Sequence, residues 1–107
     1  MIFIETSVFT RQIKSLLSED SYNKLQQWIV DSPKRGDVIR GSAGCRKIRW
    51  MIPGKGKRGG IRVIYYWQKQ TSQIFMLLAY AKNETADLSR EQIALLGELM
   101  RNEFRSK

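Results

Sequence analysis

The chain reads as an α+β protein, and three observations predict that class. Segments with strand-like alternation cluster between residues 46 and 81. Apolar residues recur at helical spacing before and after that cluster. Breaks rich in Gly, Pro and Ser separate the segments. The predicted order is β-α-α-β-β-β-α: a compact domain over residues 1–107, with an N-terminal helical hairpin, an antiparallel sheet and a C-terminal helix.

Each element has its own signal. Phe3 and Ile4 suit a short first strand. Thr6 or Ser7 then caps a helix whose Val8, Phe9, Ile13, Leu16 and Leu17 recur on one face. LSEDS breaks it, and Ser18, or alternatively Ser21, caps a second helix with Tyr22, Leu25, Trp28 and Ile29 on its stripe. That helix must end before Pro33, because the residue preceding a proline avoids helical geometry. PKRGDVIRGSAG, residues 33–44, reads as a loop. A strand follows over Arg46–Ile52, with Ile48 and Trp50 on one face and Lys47, Arg49 and Met51 on the other. After a glycine-rich tip, IRVIYYWQ places Ile61, Val63, Tyr65 and Trp67 opposite Arg62, Ile64 and Tyr66. IFMLLAYA is apolar on both faces and reads as an interior strand. Ser89 followed by Gln92 forms a capping box for a last helix with Ile93, Leu96, Met100 and Phe104 on its stripe.

Charge narrows the function. The net charge is +9, and from Val38 to Asn83 there are ten cations and no acid. Self-repulsion on that scale destabilises a small domain unless a polyanion is its partner, and nucleic acid is the leading one. No apolar run reaches the length of a membrane helix, and no basic amphipathic helix points to a membrane surface. MIFIETSVF has neither a basic start nor a small-residue cleavage site, so no signal peptide is expected. A single cysteine, Cys45, excludes an internal disulfide and an all-Cys zinc site; it suits a reducing cytosol and a small core residue better than a nucleophile.

The chain contains no histidine, which removes the Ser-His and Cys-His hydrolases and the common histidine-ligated metal sites. Scarce acids near the basic segment leave a two-metal nuclease poorly supported, so no metal or cofactor is expected. GKGKRGG, residues 54–60, matches G-x-G-x-x-G, but its glycines join two strands instead of opening a helix. It is a hairpin tip whose Lys55, Lys57 and Arg58 reach for phosphates. Arg46, Arg40, Lys34 and Arg35 extend the expected RNA-binding surface.

The sheet face is sharper. Lys47, Arg49 and Arg62 share one parity class on adjacent strands, and Lys82 ends the next strand. Paired across the hairpin, their heads converge and need an anion between them. Such a cluster is able to promote RNA cleavage without metal or histidine: the 2′-hydroxyl attacks phosphorus while cations stabilise the developing charge. A lysine crowded by arginines serves as a base, and Tyr66, on the Arg62 face, stacks on a nucleobase or donates a proton. A non-catalytic nucleic-acid-binding module shares the charge without needing those heads in register.

CRKIRW, the glycine-and-lysine tip, RGGIRVIYYW and LLAYAKNETADLS together resemble the RelE/HigB superfamily of type II toxins, most closely its HigB-like branch. The resemblance spans nearly the whole chain and implies a RelE-like fold. It also implies ribosome-dependent cleavage of mRNA in the cytoplasm, restrained by a HigA-like helix-turn-helix antitoxin. Lys47 and Arg49 then stand at the paired basic positions of the RelE pattern, Arg62 at its phosphate-binding arginine and Lys82 at its last-strand lysine. Two positions depart from the pattern. Asn83 replaces an arginine, and the C-terminal tyrosine has no counterpart, Ser89 standing near its place. Proton transfer would fall to a lysine, to Tyr66 or to groups of the ribosome.

Overall fold

The computed structural model describes residues 1–51, 60–81 and 88–105. The chain forms β1 (Ile2–Glu5), α1 (Ser7–Leu16), α2 (Glu19–Asp31), β2 (Asp37–Val38), β3 (Arg46–Trp50), β4 (Ile61–Gln68), β5 (Gln73–Ala81) and α3 (Arg90–Arg105). Among the described residues no helix is long and apolar enough to cross a membrane.

The caps fall where the residue chemistry places them. Thr6 accepts from the Phe9 N–H at 3.0 Å and starts α1. Ser18, rather than Ser21, starts α2 by accepting from the Ser21 N–H at 3.1 Å. Ser89 and Gln92 bond reciprocally, at 2.8 and 3.1 Å, ahead of α3. α2 ends at Asp31, two residues before Pro33.

The five strands lie in the order β1-β5-β4-β3-β2. Two features correct the expected sheet. It is mixed rather than antiparallel throughout, because β1 runs parallel to β5. Segment 33–44 is also not all loop, since Asp37 and Val38 pair with Lys47 and Arg46 as a short edge strand. Arg35 to Gly36 reaches that edge through Tyr65: its hydroxyl accepts from the Gly36 N–H at 2.9 Å and donates to the Pro33 carbonyl at 2.8 Å. Gly36 has no room for a side chain, as a Cβ there would lie 2.7 Å from an Ile48 methyl.

Helices cover both faces. Phe9, Ile13, Leu17, Leu25 and Ile29 of the α1–α2 hairpin bury against Ile48, Ile61, Val63, Tyr65, Ile74 and Met76. On the other face Leu96 and Met100 of α3 bury against Cys45, Ile64, Phe75 and Leu77. This two-sided burial is why β4 and β5 are apolar on both faces. Burial pushes the Cys45 thiol up to about 11, with a smaller opposing effect from Ser42, so it is a core residue and not a thiolate.

A bulge between Ile64 and Tyr65 shifts the β4–β5 register, so that Ile64 faces Leu78 while Tyr65 faces Met76. Side chains of α1 take the backbone groups nearby. The Thr6 hydroxyl donates to the Leu77 carbonyl at 2.9 Å, and the Gln12 side-chain oxygen accepts from the Ala79 N–H at 2.9 Å. The bulge therefore joins helix and sheet.

Candidate nucleic-acid interface

Alternation and register assemble a cationic row on the α3 face of the sheet. Arg49 of β3 stands directly opposite Arg62 of β4, and Arg62 stands opposite Tyr80 of β5. One step along, Lys47 faces Ile64 on one side and Asp37 of β2 on the other. Successive same-face rows lie about 7 Å apart along a strand. Arg49 is exposed, while Lys47 and Arg62 are half-buried. Like charges facing each other across a ladder repel. One guanidinium nitrogen of Arg62, Nη1, is buried and donates to no described residue. The one ion pair among the described residues, Lys24–Asp20 at 3.7 Å, lies on α2. Within the row Arg62 Nη1 is thus a buried donor without an acceptor among the described residues, a group that a phosphate oxygen would satisfy.

Other expected site residues lie elsewhere. Tyr66 shares the face of Arg62 but sits four residues along β4, about 13 Å away. It belongs to the cluster beneath α3, and a Cβ at Gly44 would lie 3.1 Å from its ring. Arg46 faces the opposite side of the sheet, since residues one apart in a strand alternate. Its guanidinium donates to the Lys34 and Gly36 carbonyls at 3.2 and 2.8 Å, holding the chain that leads into β2. Arg35 covers the Trp28 ring at 4.3 Å, and Trp28 in turn packs on Trp50. Lys34 and Arg40 are exposed, Lys34 next to Arg35 and Arg40 in the turn after β2. Lys55, Lys57, Arg58 and Lys82 lie outside the described residues.

Two residues join the row that composition did not single out. Tyr80 has the same strand parity as Lys82, a period-two signal visible in LLAYAK. Asp37 carried no such signal, because its position follows from a two-residue edge strand. A cavity of about 550 Å³ lies away from the row against α1 and α2. One of its two carboxylates, Glu5, accepts from Thr10 and Tyr22 at 2.6 Å each, and Lys14 is the single cation in its lining, so it lacks the cluster of cations found on the row.

Comparison with known proteins agrees with this architecture. The fold resembles a double arginine-to-alanine mutant of the E. coli toxin RelE in the free state, with a TM-score of 0.52 at 16% identity over 79% of this chain and 86% of that one. It resembles the same mutant in complex with an antitoxin RelBc peptide, with a TM-score of 0.51 at 15% identity over 83% and 95%. Likeness at such identity concerns the fold alone. The family model described as the RelE toxin of the RelE / RelB toxin-antitoxin system matches residues 5–105. With nearly the whole chain matched, the protein belongs to the RelE toxin family.

Proposed function

We propose that this protein is a toxin of the HigB-like branch that cleaves translated mRNA on the ribosome, without a metal, by attack of a 2′-hydroxyl on the adjacent phosphorus. The observation that carries the reading is the direct cross-strand pairing of Arg49 with Arg62, with Lys47 one row away. An RNA phosphate between the two guanidiniums gains charge as the 2′-oxygen attacks, so the paired cations hold the transition state more tightly than the ground state. Lys47 and Lys82 are the candidates for moving protons, and Tyr80, on the Arg62 row, replaces Tyr66 as the aromatic within reach. Lys55, Lys57 and Arg58 grip ribosomal or messenger phosphates around that centre.

The partner is an antitoxin, proposed as HigA-like with a helix-turn-helix domain. Ile2, Ile4, Val8, Leu95 and Leu99 are exposed. Ile2 and Ile4 lie on β1, whose outer edge has no neighbour among the described strands. This apolar flank, on a chain of net charge +9, suits an acidic partner segment. The cytoplasm is the compartment where ribosome and antitoxin meet it.

Arg62→Ala tests the site. The folded variant should leave ribosome-bound mRNA intact, whereas wild type creates new RNA ends; full cleavage by the variant overturns the assignment. The packing of Tyr66 against the cluster beneath α3 favours a second reading, a module that binds nucleic acid without cutting it. Purified ribosomes with a defined mRNA separate the two, since binding without new ends supports only the module.

A further inference from the structure

Asp37 is the one carboxylate that the described strands bring to the cationic face. It forms no ion pair with a described residue, the only such pair being Lys24–Asp20. A carboxylate repels phosphate, so its place beside Lys47 in an RNA-binding row calls for a different ligand group. It borders a depression of about 250 Å³ lined by Asp37, Val38, Ile39, Lys47, Leu88 and Ile93. Four of these are apolar and come from two sides, the β2 edge and the start of α3. Leu88 and Ile93 flank the Ser89 cap as a hydrophobic staple does, so the α3 wall is fixed by the capping geometry.

The volume lies below the roughly 300 Å³ at which ordinary small-molecule pockets begin, so it fits one planar ring system and not a whole nucleotide. Apolar walls suit the faces of a nucleobase. An ionised carboxylate only accepts hydrogen bonds. Guanine alone offers two adjacent donors on its Watson–Crick edge, the ring N1–H and the exocyclic amine, matching both carboxylate oxygens. Adenine and uracil each oppose an acceptor to one of them, and cytosine offers only its amine. The depression also lies one row, about 7 Å, from the Arg49–Arg62 pair, within the reach of one sugar from a bound phosphate.

We propose that this depression between β2 and the start of α3 is a nucleobase subsite in which Asp37 reads guanine next to the phosphate held by Arg49 and Arg62. The subsite deepens the nuclease reading and rests on it for its place in the reaction.

Two measurements test it. Mapping new 5′ ends on a ribosome-bound mRNA library should show wild-type cuts at a fixed distance from guanine, favoured roughly ten-fold over other bases. Asp37→Asn should keep cutting but lose most of that preference, because an amide does not accept both donors. An unchanged preference in Asp37→Asn, or one for another base in wild type, overturns the proposal, as does an equal change for all four bases, which marks a general charge effect. The second measurement uses the wild-type protein, so it depends neither on a variant's folding nor on cleavage. Titration with 5′-GMP, 5′-IMP and 5′-AMP should shift the Leu88 and Ile93 methyl resonances most with GMP, less with IMP, which lacks the amine, and least with AMP. Equal shifts overturn the subsite. If wild type makes no cuts while GMP is still selected, the nuclease reading fails and the subsite stands.

Discussion

Arg62 faces Arg49 directly across the β3–β4 ladder, and its Nη1 is buried with no acceptor among the described residues. Cβ atoms of such neighbours stand about 5 Å apart, so two like charges share one row, Arg49 exposed to solvent and Arg62 half-buried. Like charges directly opposite each other cost stability in the free protein, and under the proposed nuclease reading a bound phosphate offsets that cost.

That trade is measurable. Arg62→Ala or Arg49→Ala should leave stability unchanged or raise it by up to about 1 kcal/mol, since repulsion and an orphaned donor are removed. Cleavage should fall by about 100-fold or more, the usual cost of one donor to a developing oxyanion. Urea melts and end-mapping of ribosome-bound mRNA check the two halves. A stability loss above about 2 kcal/mol would make the guanidinium structural.

Arg46 should behave in the opposite way. Its guanidinium holds the Lys34 and Gly36 carbonyls from the other face of the sheet. Arg46→Ala should cost about 1–2 kcal/mol and loosen β2, seen as faster amide exchange at Asp37 and Val38. The cleavage rate of the folded fraction should stay within a few-fold of wild type.

Thr6 caps α1 and donates to the carbonyl of Leu77 beside the bulge. Thr6→Val removes both bonds while keeping the shape, and should cost roughly 1–3 kcal/mol. Thr6→Ser, which keeps the hydroxyl, should recover most of that in the same denaturant titration.

Alkaline pH should destabilise the fold through Cys45. Burial raises the thiol from its ordinary value near 9 to about 11. Below pH 9 both folded and unfolded chains hold the proton and nothing changes. Between about 9 and 11 the unfolded chain releases it first, so the unfolded state binds fewer protons and stability falls as pH rises. Tyr65 and Tyr22, both raised chiefly by desolvation, act in the same direction above pH 10. Cys45→Ala should flatten the slope of unfolding free energy between pH 9 and 10, and native Cys45 should resist iodoacetamide at pH 8.

Local chemistry made much of the fold legible. Thr6, Ser18 and Ser89 are caps because a side-chain oxygen and the nearby N–H groups lie within the same few residues. The alternation of Lys47 and Arg49 against Ile48 and Trp50 is equally local, so the cationic face was readable before any partner strand was known. What remained hidden depends on partners distant in sequence. β2 is two residues long and gains its identity only from β3. The parallel placement of β1 against β5 joins residues some seventy positions apart, through contacts such as Ile4 with Phe75.

By itself, the sequence determined which side chains share a strand face, where the helices begin, and that a strongly cationic surface must exist. The tertiary structure alone decided which cations meet. It set Arg49 against Arg62 and Arg62 against Tyr80, drew Asp37 beside Lys47, and gave the Arg46 guanidinium the Lys34 and Gly36 carbonyls as partners. The reason is physical: parity is a property of one strand, whereas register is set between strands by hydrogen bonds and by what each face buries.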